Sequence, residues 1–254
     1  MKRLLTAAAL VPIVVYVVLF ANFWVFLAVL IAVAALCYQE YNGIAAAYGF
    51  GAPGPLGYGF GLLLLVSKGD AWAIATAAAL VALAMAMRER DLGHALPRVA
   101  LLLFGVVYVF GCWKCALPLR ERNPHWLMYA LILNWAGDAG AYYVGRAWGI
   151  HKMAPRVSPK KSWEGAAASL AVSTAVAGAY LVYFAGVAIP QAIALTVAAN
   201  AAGQIGDLAE SAMKRGAGVK DSGRLLPGHG GMLDRVDSML FALPVIYAYL
   251  KLVG

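Results

Sequence analysis

The chain has 254 residues, of which 63% are hydrophobic and only 13% are charged, and its formal net charge is +8. So high an apolar fraction excludes an ordinary soluble domain and is typical of integral membrane proteins. The positive charge does not indicate nucleic-acid binding, because basic residues also gather on the cytoplasmic side of membrane proteins and attract anionic lipid.

Apolar runs along the chain predict membrane helices, since many approach the ~20 residues that cross a bilayer. The runs occupy residues 4–20, 23–38, 55–66, 71–87, 99–113, 126–136, 166–185, 189–205 and 239–252, of which 55–66 is short. Every backbone polar group in lipid needs an internal partner. We therefore expect an all-α, polytopic integral membrane protein with about nine transmembrane helices.

The first apolar run follows Lys2 and Arg3, a pattern that also begins secretory signal peptides. The run is long for a signal peptide, no convincing Ala-x-Ala site leads into a polar domain, and another apolar run follows at once. We therefore expect a retained first helix.

Two motifs in the first half predict no functional site. The glycine-rich residues 49–61 match neither a dinucleotide fingerprint nor a P-loop and contain no basic residue. Cys112 and Cys115 form a C-x-x-C without a nearby His or a second pair, which favours incidental packing. The acids of this half lie at the ends of apolar runs or in short connections, and we interpret them as ordinary interfacial residues: Glu40, Asp70, Glu89, Asp91 and Glu121.

The distribution of basic residues predicts the orientation of the chain in the membrane. With nine crossings and an internal N-terminus, only five of the 20 Lys and Arg residues fall outside: Lys68, Lys114, Arg120, Arg122 and Lys251. The positive-inside rule then predicts that the polar segments face the cytoplasm, and we expect a multi-pass protein of the cell's inner membrane. We divide the chain into a scaffold, residues 1–125, and a second region, 126–254, with cytoplasmic loops 146–165 and 214–237.

Carboxylates in the second half carry the functional information. Asp138 and Asp207 interrupt apolar runs, where a charge costs about 2.5 to 3.5 kcal/mol even on a lenient insertion scale. Helical spacing places one set of side chains on a single face, namely Asp207, Glu210, Ser211 and Lys214. Asp234 and Asp237 share the first turn of the last helix if that helix begins near Leu233. Such hard oxygen ligands suit Mg²⁺.

Two other interpretations of these acids stay open at this point. A buried ion-pair network would have Arg215 and Arg235 neutralise the acids. An ion-coupled membrane transporter would also place acids in broken helices near glycine. The long polar segment at 214–237 argues against both, because long ordered loops are more often functional than connective.

Glycines and cations in that polar segment predict a phosphate site. Gly228, His229, Gly230 and Gly231 follow Pro227, and glycines let backbone amides converge on an anion. Basic side chains surround this turn and would add phosphate contacts: Lys214, Arg215, Lys220, Arg224 and Arg235. A second basic segment, 151–165, reads either as a loop that ends in the helix cap Ser162, with Glu164 in the first turn, or as a lipid-phosphate site.

Three segments together resemble the phosphatidate cytidylyltransferase, or CDP-diacylglycerol synthase, family. The longest is Ser211-x-x-Lys214-Arg215, then Lys220-Asp221, then Pro227-x-His229-Gly230-Gly231-x-x-Asp234-Arg235-x-Asp237. Upstream stand Asp138-x-x-Ala141-Tyr142-x-x-Gly145-Arg146 and Ser158-Pro159-Lys160-Lys161-Ser162-Trp163-Glu164-Gly165, where the family more often has Thr at the position of Ser162. The resemblance is close over residues 138–238.

The resemblance implies transfer of CMP from CTP to phosphatidate, giving CDP-diacylglycerol and pyrophosphate, with Mg²⁺ and a possible second cation, in a membrane homodimer. It implies the catalytic residues Asp207, Lys214, Arg215, Lys220, Asp221, Asp234, Arg235 and Asp237. It implies substrate contacts from Asp138, Tyr142, Ser158, Lys160, Lys161, Ser211, His229, Gly230 and Gly231. Asp207, Asp234 and Asp237 would be the metal ligands.

A CDP-alcohol phosphatidyltransferase also uses metal-bound aspartates in membrane helices. Its Asp-Gly-x-x-Ala-Arg run and downstream Asp-x-x-x-Asp are absent from this sequence. That interpretation is therefore disfavoured. The partners that we expect are CTP, phosphatidate and membrane lipid, without nucleic acid.

Overall fold

The structure is a computed structural model that describes residues 2–89, 91–225 and 230–253, with the backbone alone for 2–9. Within these ranges the chain is mostly helical, as predicted. The α-helices are α1 (Lys2–Leu19), α2 (Phe23–Ala45), α3 (Pro55–Val66), α4 (Ala71–Ala86), α5 (Ala95–Gly105), α6 (Cys112–Lys114), α7 (Ala116–Arg122), α8 (Pro124–Trp148), α9 (Trp163–Ser173), α10 (Ala179–Ala185), α11 (Ile189–Gly216) and α12 (Leu233–Val253). Short π-helical turns at Ala46–Phe50, Val106–Gly111 and Thr174–Gly178 extend α2, α5 and α9.

Four helical stretches among the described residues are long and apolar enough to cross a membrane. They are Phe23–Phe50, Leu92–Arg122, Trp163–Ala185 and Leu233–Val253. Leu10–Leu19, Pro55–Val66 and Ala71–Ala86 are apolar but shorter. The membrane character is thus supported, whereas the number of about nine crossings stays a prediction.

The expectation of an all-α chain is wrong at one place, the basic segment after α8. Strands β1 (Lys152–Ala154) and β2 (Ser158–Ser162) pair in antiparallel there, with Lys152 opposite Ser162. The turn between them is closed by the Val157 amide, which donates to the Ala154 carbonyl at 3.1 Å. Pro155 stands at the second position of this turn, where its fixed φ favours a turn over continued helix.

Local signals fix where several helices begin. The Ser162 hydroxyl accepts the Gly165 amide at 3.2 Å and caps α9, which confirms the predicted cap, and α12 begins at Leu233 as predicted. By contrast, α8 runs unbroken through Asp138, where the apolar run is interrupted. Asp138 is exposed on that helix, so its carboxylate does not require a break.

The chain forms two compact units, each assembled from separated segments. The first contains Met1–Thr6, Asn22–Lys114 and Met213–Arg235, and the second contains Ala7–Ala21, Cys115–Ala212 and Val236–Gly254. This division does not coincide with the predicted one near residue 125, because the segment that ends α11 and begins α12 belongs to the first unit.

Aromatic rings lying on glycines form much of the core of the first unit. Tyr38 is fully buried and lies so close to Gly57 that a Cβ there would overlap its hydroxyl. The Tyr41 hydroxyl donates to the Leu101 carbonyl at 2.7 Å. Since α2 carries both tyrosines, this core fixes the helix on which Glu40 stands.

A buried polar network joins three helices of the second unit. The Asn200 side-chain amide of α11 donates to the Ser169 and Ser173 hydroxyls of α9 at 3.1 and 2.8 Å, and the Gln204 side-chain amide donates to the side-chain oxygen Oδ1 of Asn200 at 2.6 Å. Gly137 of α8 leaves room for this network, because a Cβ there would lie 2.7 to 2.9 Å from its atoms. The network stabilises the packing of α11, on which Asp207 lies.

Candidate functional site

Predicted site residues lie in two clusters, one in each unit, and Glu40 and Ser222, which were not predicted, join the first of them. The Asp234 cluster comprises Glu40, Lys214, Ser222, Gly231 and Asp234 in the first unit. The Asp207 cluster comprises Lys161, Asp207 and Ser211 in the second unit. The two clusters are described in turn.

Asp234 is the centre of the first cluster and is satisfied by several donors. Its Oδ1 accepts the Lys214 ammonium at 2.5 Å, and its Oδ2 accepts the amides of Ser222 at 3.0 Å and Gly231 at 2.8 Å. Asp234 and Lys214 side chains are only 6% and 9% exposed. Burial keeps the opposite charges in a medium of low dielectric constant, where a carboxylate with an ammonium and two amides is strongly held.

Gly230 precedes this arrangement in a conformation that favours glycine. Its φ is +82°, in the left-handed region, and a Cβ there would lie 2.5 Å from Asp234 Oδ2 and 3.6 Å from the Asp221 Cβ. The glycine therefore lets the chain turn tightly against the carboxylate. The structure thus brings Asp221, Gly230, Gly231 and Asp234 together.

The amides of this turn already donate to carboxylates. Gly231 donates to Asp234, and the Met232 and Leu233 amides donate to Glu40 at 2.8 and 2.7 Å. A phosphate can use these amides only in competition with Asp234 and Glu40. The phosphate-binding role of Gly230 and Gly231 stays a prediction.

Glu40 is the residue that sequence reasoning missed. It is not an ordinary interfacial acid: only 9% of it is exposed, and besides the two amides it accepts the Ser222 hydroxyl at 2.9 Å. A signal existed, since Glu40 lies two residues after the end of an apolar run, and the cost of burying a charge applies to it as it does to Asp207. The partners could not be seen, because they lie more than 180 residues away.

A pocket of about 360 Å³ adjoins Glu40 in the first unit. Gln39, Ser222 and Arg224 are among its lining residues. The pocket offers a basic and several polar groups to a ligand beside the cluster.

In the second unit, Lys161 of β2 forms an ion pair with Asp207 of α11. The Lys161 Nζ lies 2.6 Å from Asp207 Oδ2. Ser211, one helical turn after Asp207, has its hydroxyl 3.4 Å from Asp207 Oδ1. The neighbouring Lys160 is exposed, because successive residues of a strand face opposite ways. The two lysines that were predicted to act alike are therefore placed differently.

Helices α11 and α12 pack closely where Gly206, the neighbour of Asp207, contacts the backbone of Asp237. A Cβ on Gly206 would lie 2.9 Å from the Asp237 carbonyl oxygen and 2.8 Å from the Phe241 ring. Asp237 is itself 9% exposed. Glycine at position 206 thus sets how near these two stretches of backbone lie in the second unit.

The hairpin is tied to α9 by a second ionisable pair. His151 Nδ1 lies 2.5 Å from Glu164 Oε1, and the His151 amide also donates to this carboxylate. Glu164 thereby holds the start of the hairpin, whose other strand carries Lys161.

Other predicted residues lie near the surface. The Tyr142 hydroxyl accepts a hydrogen bond from the Arg146 guanidinium at 2.9 Å, and the Arg215 guanidinium donates a hydrogen bond to the Val219 carbonyl at 3.0 Å. Exposed side chains of the predicted set include those of Asp138, Lys220 and Arg235, whereas Ser158 is half-buried in β2. His229 lies outside the described residues.

The ion-pair interpretation is correct about pairing and wrong about its cations. Lys214 and Lys161, rather than Arg215 and Arg235, neutralise Asp234 and Asp207. Carboxylate oxygens fit Mg²⁺ by chemistry, but among the described residues no three His, Cys, Asp or Glu side chains form a group that could hold a metal. The ligand set Asp207, Asp234 and Asp237 stays a prediction.

Comparisons with known proteins agree with the resemblance carried by the motifs. A model described as the cytidylyltransferase family matches residues 1–253. Similar curated proteins are the phosphatidate cytidylyltransferases of Bacillus subtilis, 37% identical over 61% of this chain and 59% of the relative, and of Haemophilus influenzae, 46% identical over 55% and 51%. That of Staphylococcus saprophyticus is 39% identical over 58% and 57%. The chain thus spans little more than half the length of these relatives.

Proposed function

The chain belongs to the cytidylyltransferase family, and from this we propose that it transfers CMP from CTP to phosphatidate, giving CDP-diacylglycerol and pyrophosphate for phospholipid synthesis. The names of the similar curated proteins support the substrates. The observation that carries the proposal is the buried Lys214–Asp234 pair at the start of α12, inside the segment with the family's motif.

In the proposed reaction, a phosphatidate phosphate oxygen attacks the α-phosphorus of CTP. The new bond joins that oxygen to the α-phosphorus, and the bond from the α-phosphorus to the pyrophosphate oxygen breaks. Both reactants are polyanions, so the protein chiefly positions them and offsets their charge. Lys214, Arg215, Lys220 and Arg235 would do this for CTP, while Ser158, Lys160 and Lys161 would hold the lipid phosphate.

Buried Lys214 is held by Asp234, whereas Lys220 and Arg235 are exposed and free to meet a ligand in solution. The same contrast separates Lys161, which is held by Asp207, from exposed Lys160. We infer that the exposed cations make the first contacts with the phosphates and that the paired lysines set the local charge and shape.

The proposed cofactor is Mg²⁺, with Asp207, Asp234 and Asp237 as the residues that would hold it. When bound, it would neutralise charge on the phosphates. Support comes from the hard oxygen donors of these residues and from the chemistry of phosphoryl transfer. Removal and restoration of the ion test the requirement for Mg²⁺.

Transfer of labelled CMP tests the activity directly. Purified protein in detergent is given CTP labelled in the α-phosphate, phosphatidate and Mg²⁺, and label is followed into lipid. We expect a labelled lipid that is absent when phosphatidate is omitted. A protein that is folded, but that produces no lipid-borne CMP, would remove the synthase function and leave the ion-coupled transporter as the interpretation to test by flux measurements.

We also propose that the protein lies in the inner membrane with about nine crossings, acts as a homodimer and has its reaction site on the cytoplasmic face. Apolar helices support the membrane location, and the distribution of basic residues supports this orientation. Cysteine variants at Lys160 and Lys68, made without the native cysteines, are predicted to react with an impermeant maleimide from opposite sides. Reaction from the same side would contradict the orientation, and cross-linking in membranes would test the dimer.

A further inference from the structure

Glu40 stands in the first half of the chain, yet its carboxylate contacts two separate parts of the motif segment. Oε2 accepts the Ser222 hydroxyl at 2.9 Å and the Leu233 amide at 2.7 Å, and Oε1 accepts the Met232 amide at 2.8 Å. A buried carboxylate with three donors is well stabilised, because each donor replaces a lost contact with water.

Two glycines enclose this carboxylate. A Cβ on Gly223 would lie 2.6 Å from Glu40 Oε1, and a Cβ on Gly231 would overlap both Glu40 and the Ser222 hydroxyl. Neither glycine has its φ in the left-handed region, so the requirement is for space and not for an unusual backbone conformation. The backbone is therefore built to lie against Glu40.

Ser222 connects Glu40 to Asp234. Its hydroxyl donates to Glu40 and accepts the Asp234 amide at 3.3 Å, while its own amide donates to Asp234 Oδ2 at 3.0 Å. A displacement of the Glu40 carboxylate would therefore shift Ser222 and the first turn of α12 together. That turn holds the carboxylate to which Lys214 is bound.

We propose that Glu40 is a positioning residue that fixes Ser222 and the start of α12, and through them the Asp234–Lys214 pair, in the geometry that CTP requires. The inference rests on the proposed function, since it assigns Glu40 to the same reaction. It places a residue of α2, in the half predicted to be scaffold, in the machinery of the site without contact to the reacting atoms.

The test variant is Glu40→Gln, which keeps the shape of the side chain. Its amide nitrogen would face an N–H or O–H donor, so at least one of the three hydrogen bonds is lost. Hydrogen bonds to charged groups contribute about 1.5 to 3 kcal/mol, which corresponds to a fall of about 10- to 160-fold in kcat/KM for CTP. We expect most of this as a raised KM for CTP, with the KM for phosphatidate unchanged.

Hydrogen–deuterium exchange gives a measurement that does not depend on activity. In Glu40→Gln, amides of residues 230–234 are expected to exchange faster, while the rest of the described chain exchanges as in the wild type. Ser222→Ala provides a second variant, because it breaks the connection between Glu40 and Asp234 and removes little volume. Glu121→Gln makes the same chemical change at an exposed acid and should match the wild type.

The outcomes separate the two hypotheses. A folded wild-type protein without CMP transfer would defeat the proposed function. An active wild type, together with Glu40→Gln and Ser222→Ala that keep its KM for CTP and its local exchange, would defeat the role of Glu40. Lower thermal stability as the sole effect of both variants would likewise overturn it, because a merely structural residue changes the folded fraction and leaves the KM values alone.

Discussion

The Lys214–Asp234 pair gives the most quantitative prediction. Both side chains are more than nine-tenths buried, so solvent screens their interaction little. Removal of one partner of a buried pair costs about 3 to 5 kcal/mol of the free energy of unfolding, because the other charge stays buried. Asp234→Asn keeps one oxygen acceptor, which serves either Lys214 or the two amides of Ser222 and Gly231, but not all three.

A double-mutant cycle isolates the interaction between the two side chains. Asp234→Asn, Lys214→Met and the double variant are unfolded by titration with denaturing detergent, and CMP transfer is measured per folded molecule. We expect each single change to destabilise the protein and the double variant to be more stable than additivity predicts, by about 0.5 to 3 kcal/mol. All three variants should lose CMP transfer while folded protein is still recovered.

Two results would refute this reasoning. Additive free energies would show that the two side chains do not stabilise each other, despite the 2.5 Å separation of Nζ and Oδ1. Near-normal transfer by folded Asp234→Asn at saturating Mg²⁺ would remove Asp234 both from the reaction and from the predicted metal ligands.

Three further predictions follow from the second unit and the proposed cofactor. Lys161→Met should lower CMP transfer by about 2- to 10-fold, because it leaves the partly exposed Asp207 without its ion pair, whereas Lys160→Met should mainly raise the KM for phosphatidate. Equal kinetic effects of the two changes would contradict the different placement of the two lysines. Gly206→Val should destabilise the protein by about 1 to 3 kcal/mol through overpacking against Phe241, as measured by titration with denaturing detergent. Gly186→Val is the comparison that separates crowding from backbone strain, because a Cβ at Gly186 meets open space while its φ is left-handed. Chelation of Mg²⁺ should abolish CMP transfer and added Mg²⁺ should restore it; transfer that persists in excess chelator would exclude the ion.

Local sequence signals predicted the parts of the site that lie close together in the chain. The start of α12 at Leu233 and the single helix through Asp207, Ser211 and Lys214 follow from spacing and from residue type. The cap at Ser162 is a contact over three residues. Each of these features depends on neighbours within one or two helical turns, so a linear sequence contains the information.

Contacts between distant segments could not be predicted in the same way. Asp207 has no basic residue within one helical turn, and its partner Lys161 comes from a hairpin that was expected to be a loop. The partners of Glu40 are equally distant in sequence, since its hydrogen-bond donors come from the other end of the chain. A sequence shows that a buried carboxylate needs partners, but it does not show which of many distant donors the fold brings to it.

The separation between Glu40 and its donors also affects how the chain is made. Ser222 follows Glu40 by 182 residues, which at about 5 to 20 residues per second is a delay of roughly 10 to 40 seconds of synthesis. Throughout that interval α2 carries an acid without the hydroxyl and amides that later surround it. The nascent helix must therefore keep Glu40 hydrated or in contact with the insertion machinery until Ser222, Met232 and Leu233 have emerged from the ribosome.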